Sequence, residues 1–275
     1  MITLNHLVRK KTTISGDDFR AYWLGKHADS LLGVAIDLGV RKITKYETQH
    51  DDDINKLVQQ IYATAGDSYD FVDQMIIHDM VDFKAGIAKA EMAKALKGIS
   101  DDESEWIDCS RSDYWFTIDI PQVFTDKHCS ATWENTTLKI FYVPRRLPHL
   151  SLQEAQLHWS SCHGAMAREF VEFLPYHKYI QGHRIESQVC RDLKALLGTE
   201  FENVDAMIGQ AEAWIDRNGV SALQGPEVDR MMGMLVEDIA LFVDSGISHI
   251  FATKEHSVLN RPLLTGVVPS LFNAD

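Results

Sequence analysis

The 275-residue sequence is short of several things that would place it quickly. It has no Gly-rich phosphate loop, no HExxH and no GxSxG, so nucleotide, zinc-protease and α/β-hydrolase readings have no motif to stand on. Its four cysteines, Cys109, Cys129, Cys162 and Cys190, form no CxxC pair and no metal-ligand spacing. That fits a reduced, cytoplasmic protein. No apolar run approaches the roughly 18–20 residues that span a bilayer. The opening Met1-Ile2-Thr3-Leu4-Asn5-His6 lacks the charged start and apolar run of a signal peptide. No membrane partner is expected. Basic residues are outnumbered, 27 against 40 acidic ones, for a net charge of −13. The longest basic run is Arg9-Lys10-Lys11. The average field repels a polyanion, so nucleic acid is not expected as a partner. The 12 histidines are scattered, with no His–His pair at i, i+4; the nearest to one is His158 with Cys162, which no Glu-x-x-His accompanies, so no metal site is expected.

What is present is a globular composition, 45% apolar and 24% charged, with enough apolar material for a sizeable core. Laid over itself, the chain repeats. Trp23 and His27 recur as Trp159 and His163, 136 residues later. The same offset pairs Arg9 with Arg145, Ser15 with Ser151, Lys42 with Lys178, Asp108 with Asp244, Ser112 with Ser248 and Thr117 with Thr253. A constant offset across both halves is the signature of a tandem duplication, with a seam near 121–135.

Each half opens with a short strand (3–9, 139–143), a basic turn and a capped helix. Ser15-Gly16-Asp17-Asp18 and Ser151-Leu152-Gln153-Glu154 have the Ser-x-x-acid form of a capping box, with Ile14 and Leu150 placed as hydrophobic staples. Strands follow at 42–48 and 178–185, and again at 71–78 and 206–215, with an irregular or short helical stretch between. Helices at 85–96 and 227–243 and last strands at 113–118 and 248–253 complete the order β-α-β-β-α-β, the ferredoxin-like plan. The expected fold class is therefore α+β: two tandem ferredoxin-like βαββαβ repeats forming an intrachain pseudo-dimeric α+β barrel. Residues 1–125 form the first repeat and 136–255 the second. Residues 256–275 form an apolar tail expected to pack on the barrel or on a second chain, which leaves a homodimer open.

The Ser-x-x-acid start, the Tyr22-Trp23 and His158-Trp159 pairs, and a His four residues after each Trp resemble the EthD family, of the dimeric α+β-barrel superfamily. Lys178-Tyr179-Ile180-Gln181-Gly182-His183 resembles its second strand. Tyr69-Asp70 and, more loosely, Glu212-Ala213-Trp214-Ile215-Asp216 resemble its third. The resemblance covers most of both halves. It implies the barrel fold but no single chemistry, since relatives across the superfamily include cofactor-free monooxygenases, dehydratases, cyclases, isomerases and haem enzymes. The halves have diverged: Tyr46 and Glu47 stand where Gly182 and His183 do, Ala155 replaces Phe19, and His158 replaces Tyr22. Two pockets, if both exist, are then chemically unequal, and the second half carries more of the imidazoles.

The candidate catalytic residues are His163, His183, His27 and Tyr142. An imidazole titrates near neutrality and serves as general acid or base; the plain structural account of His27 and His163 is a helix-end His above a core Trp. His183 shares a strand face with Gln181 and Tyr179, beside a Gly182 that leaves room for a ligand or a close backbone. Tyr142 and His6 are equivalent positions on the first strands. The candidate substrate-binding set is Trp159, Trp23, His158, Tyr46, His6, Arg145 and Asp205. Asp70 and Asp205 open the third strands and read equally as turn caps. Arg9 and Arg145 could fork a carboxylate, or pair on an acidic surface.

Together these point to a cofactor-independent acid/base enzyme, of lyase or dehydratase type, acting on a small, largely apolar or aromatic molecule in a barrel cleft. No cofactor is expected. The alternatives are a non-catalytic binding or accessory protein of an oxygenase system, or a haem protein with His163 or His183 as axial ligand.

Overall fold

The computed structural model describes residues 1–64, 67–125, 129–173, 176–197, 205–220 and 225–261. Eight strands run β1 (Ile2–Val8), β2 (Val40–Thr48), β3 (Phe71–Ile77), β4 (Asp113–Phe124), β5 (Thr137–Val143), β6 (Tyr176–Ile185), β7 (Gly209–Asp216) and β8 (His249–Asn260). They close into one antiparallel barrel in the order β1-β3-β2-β8-β5-β7-β6-β4. Within each half the spatial order is the same, fourth-first-third-second. The helices are α1 (Gly16–Leu24), α2 (Lys26–Ala35), α3 (Asp53–Ile61), α4 (Met80–Ile87), α5 (Ala90–Glu103), α6 (Leu152–His158), α7 (Gly164–Glu169), α8 (Gln188–Leu197), α9 (Arg217–Val220) and α10 (Pro226–Ile239). Among the described residues no helix is long and apolar enough to cross a membrane.

The two capping serines do what their spacing requires. Ser15 accepts from the Asp18 N–H, and Ser151 and Glu154 form a reciprocal capping box. Three residue pairs at the 136-residue offset also build the same corner twice. The Arg9 N–H donates to Ser112 Oγ at 3.0 Å, and that hydroxyl donates to the Asp108 carbonyl at 2.9 Å. Arg145, Ser248 and Asp244 repeat this at 2.9 and 2.7 Å.

Two expectations change. The fourth and eighth strands run well past 118 and 253, and these extensions close the barrel. β4 pairs with β1 through Asp113–Ile118 and with β6 through Phe116–Phe124. β8 pairs with β5 through His249–Thr253 and with β2 through Thr253–Asn260. Pro121 is tolerated because the β4–β6 register shifts between Pro121 and Val123, a bulge where its missing N–H does no harm. Residues 256–260, assigned to the tail, belong to β8; the remainder of that tail lies outside the described residues. The second change is in the helices. The segment at 85–96 is two helices, α4 and α5. The one starting at Gly16 breaks at Gly25, where a Cβ would lie 2.8 Å from the Ala21 carbonyl oxygen.

Helices cover the outside of the barrel, and the bore is filled. One end holds Leu7, Val72, Trp115, Phe141, Val143 and Phe251. Toward the other end the bore becomes polar. Lys139 Nζ lies 2.8 Å from Glu212 and 2.8 Å from Gln74 Oε1, above the Tyr46 ring at 3.7 Å. Gln74 and Gln210 donate to Asn5, which donates to Thr117. These groups come from both halves, so the layer ties the halves through hydrogen bonds that water cannot replace. The bore is thus packed along most of its length, and the space it keeps is a polar pocket at this end. Gly182 serves close packing here: a Cβ on it would meet Gln210 Cγ at 3.2 Å and Thr117 at 3.3 Å.

Removing one partner of a buried ion pair strands the other. Glu212→Ala is expected to cost about 3–5 kcal/mol, and the double replacement Lys139→Met with Glu212→Leu to recover most of it. Urea denaturation of the three proteins checks this; an unshifted midpoint for Glu212→Ala contradicts it.

Candidate functional site

Equivalent faces of the two halves are built from equivalent strands and helices, but with opposite chemistry. In the first half the space between the sheet and α2 and α5 is packed with charge. Lys45 Nζ lies 2.5 Å from Asp73 Oδ2 and 2.8 Å from His27 Nδ1. An amine contact at Nδ1 leaves the ring proton on Nε2, which donates to Glu103 Oε1 at 2.6 Å. Tyr114 donates to the same carboxylate at 3.0 Å, and Trp23 Nε1 donates to Asp73 Oδ1 at 3.0 Å. His6 stacks on Tyr114 at 3.7 Å, and Trp23 stacks on His27 at 3.7 Å. Burial lifts Glu103 to about 8 against the Tyr114 hydrogen bond and the Lys45 charge. Burial, then Lys45, then His6 push His27 well below the usual imidazole range, so its ring is neutral.

In the second half the same positions are apolar or small. The strand registers put Ala211 opposite Tyr142 where Asp73 stands opposite His6, and Ile250 opposite Tyr142 where Tyr114 stands opposite His6. Gln181 replaces Lys45, and Ile239, at the end of α10, replaces Glu103 at the end of α5. The volume and charge removed leave a cavity of about 1020 Å³ of empty space, mouth included. Its walls include Ala211, Ile239 and Ile250 together with Tyr142, Trp159 and His163. Part of its roof comes from the other half: Ile54, Leu57, Val58 and Ile61 of α3, then Tyr62. Those residues follow the i, i+3, i+4, i+7 spacing of one helix face. In return α8 covers the first half with Val189, Leu193 and Leu197.

His163 is set by an unusual turn. Trp159–His163 is π-helical, with the Gly164 N–H bonded to the Trp159 carbonyl five residues back. The imidazole lies on the cavity wall. Its Nδ1 is 2.9 Å from Asp238 Oδ2, and its Nε2 has no partner among the described residues. His158 Nε2 meets the other carboxylate oxygen at 2.8 Å. Burial opposes the Asp238 charge, but hydrogen bonds from His163 and His158 win and hold it below the usual carboxylate range. Burial keeps Tyr142 and Tyr179, both on the wall, above the ordinary phenol range; they remain protonated donors at neutral pH. Tyr142 Oη is buried without a hydrogen-bond partner.

Of the residues singled out from sequence, the fold brings Tyr142, Trp159 and His163 to the cavity. His158 reaches it only through Asp238. His183 lies behind the wall, its ring stacked on Trp159 at 4.8 Å and bonded to Gln181 at 3.2 Å, which leaves no face open to an axial ligand role. His27, Trp23 and His6 belong to the packed first-half network. Tyr46 faces the bore beneath Lys139. Arg145 is buried at its strand end, bridged to Met207, and Asp205 is exposed with its carbonyl accepting from Arg184. Neither is on the cavity wall. Sequence reasoning missed Asp238, the Lys45–Asp73–Glu103 set and the α3 roof. Only α3 had a local signal, its apolar spacing. Among the described residues no group of three or more His, Cys, Asp or Glu side chains could hold a metal ion.

Burial pushes His183 down to about 4. The unfolded chain, with His near 6.5, then binds the extra proton first as pH falls. Stability should be full above 6.5 and decline between about 6.5 and 4. His6 and His27, also held below the usual range by burial, add to the same slope, so His183→Gln should reduce it in part in denaturation curves taken across the window; an unchanged slope would argue against the buried neutral ring.

Residues 11–110 match the family model for the EthD domain. No curated protein matches the sequence. Among solved structures the fold is similar to one described as an anthrone oxidase-like protein, with a TM-score of 0.54, 11% identity, and 95% of this chain and 96% of that one covered. A second, a candidate monooxygenase from Lactobacillus acidophilus NCFM, has a TM-score of 0.45 and 9% identity, with 94% and 96% covered. At these identities the likeness concerns the fold. The match lies within the first half of the chain and makes that segment, residues 11–110, similar to the EthD domain.

Proposed function

We propose that this chain is a tandem pair of ferredoxin-like EthD-type repeats in which the second repeat holds an acid/base active site for a small aromatic or otherwise apolar carbonyl compound. The observation that carries the reading is the apolar cavity with one oriented imidazole on its wall, His163 held through Nδ1 by Asp238. The boundaries 1–125 and 136–255 fit the shared strand order and the duplicated Arg–Ser–Asp corner. That no disulfide forms among the described residues supports a reducing compartment.

In this reading His163 Nε2 takes a proton from the carbon next to the substrate carbonyl, and Asp238 stabilises the imidazolium. The carbonyl oxygen becomes an enolate, which protonated phenols such as Tyr142 and Tyr179 stabilise by donating hydrogen bonds. In a dehydratase the enolate electrons then expel hydroxide from the adjacent carbon, and the proton on His163 converts it to water. The fold neighbour's description as anthrone oxidase-like favours a second course from the same enolate, in which dioxygen is the electron acceptor.

Anthrone, an aromatic ketone whose acidic C–H lies across the central ring from the carbonyl and is conjugated to it through the arenes, tests the vinylogous form of that first step, since loss of the proton gives an aromatic enolate. Under anaerobic conditions in deuterated buffer the protein should speed exchange at that C–H. His163→Gln should slow it by about 10²–10⁴-fold with binding little changed. Exchange undiminished in His163→Gln contradicts the assignment. Tight binding with no exchange in the parent protein would favour a binding or accessory role. Repeating the reaction in air separates the two courses by dioxygen consumption.

A further inference from the structure

The polar end of the barrel bore holds a second pocket, separate from the cavity in the second repeat. It has about 430 Å³ of empty space, mouth included, and is walled by residues from seven of the eight strands, from Thr3 on β1 to Trp214 on β7. Three lysines, Lys42, Lys139 and Lys178, meet two carboxylates there, Asp119 and Glu212. That leaves a local cationic excess in a chain of net charge −13. Glu212 is already paired with Lys139, and Asp119 accepts from the Thr3 and Thr117 hydroxyls. Lys42 and Lys178 are half-buried, and neither has a carboxylate within 4.0 Å among the described residues. The Lys178 and Lys139 ammonium groups lie 4.2 and 4.4 Å from the centre of the Trp214 ring. Their mutual repulsion adds to burial in lowering Lys139 to about 8. The Trp214 indole N–H is buried and has no acceptor. An unpaired buried donor costs free energy, and two close ammonium groups with one carboxylate between them invite a second anion.

We propose that this pocket binds a small monocarboxylate, of formate to acetate size, with its oxygens received by Lys178, Lys42 and the Trp214 N–H. The aromatic walls, Tyr46 and Trp214, suit a flat anion. Asp119 and Glu212 on the same rim penalise a dianion, which sets carboxylate above phosphate.

The test is indole ¹H–¹⁵N resonances at constant ionic strength, with the Trp214 signal assigned by its loss in Trp214→Phe. Acetate should shift that resonance saturably in the millimolar range, and Lys178→Gln should weaken binding at least tenfold. Lys42→Gln carries the same test should Lys178→Gln fail to fold. Tyr142→Phe, in the other cavity, should leave acetate binding unchanged. No saturable shift through roughly 100 mM overturns the proposal. An equal shift with chloride, or tighter binding of inorganic phosphate, overturns the carboxylate assignment.

Discussion

The architecture rests on two strands that each serve two partners. β4 and β8 are 12 residues long, and the first part of each completes the sheet of its own half. The second part crosses to the other half, to β6 and β2 respectively. Closure by those extensions removes every strand edge, which leaves no template for pairing with another chain. It also brings α3 over the second half and α8 over the first. Neither half can complete its outer layer without a helix from the other, so the barrel and the cavity are properties of the whole chain.

Two halves with the same strand order need not carry the same site. The first half fills the space under its helices with Lys45, Asp73, His27, Glu103 and Tyr114, all buried and mutually bonded. These five satisfy one another, which such a network requires, while His6, stacked on Tyr114, stays neutral with neither ring nitrogen bonded. The second half meets the same geometric demand by removing the charges. Ala211, Ile239 and Ile250 need no partners, so the space can remain open, and one imidazole with one carboxylate is left at its edge. The segment that matches the EthD model, residues 11–110, thus lies in the half where the charged network occupies the position of the cavity.

Much of the frame was legible in the sequence because it depends on local signals. The order of eight strands followed from reading the two halves against each other, the Ser-x-x-acid boxes located two helix starts, and the offset joined Trp23 to Trp159 and His27 to His163. The strand extensions were hidden because Pro121 argues against a strand unless a bulge removes the need for its N–H. The partners of the histidines were hidden for a different reason. Glu103 lies 76 residues from His27, and Asp238 lies 75 from His163. Only the fold sets those distances. His183 looked like a pocket residue because it shares a face with Tyr179, yet the Trp159 ring intervenes.

The account's central claim is that the large apolar cavity, about 1020 Å³ of empty space, lies in the second half, while the first half keeps only a smaller apolar space of about 480 Å³ under α8. The most direct measurement is the stoichiometry of a fluorescent apolar aromatic probe, read by equilibrium titration of the folded chain. The account predicts one probe per chain. It also predicts loss of binding when Ala211→Phe fills the cavity floor, and retention when Leu193→Ala alters the cover of the first half. Two probes per chain, or binding indifferent to Ala211→Phe, would contradict it.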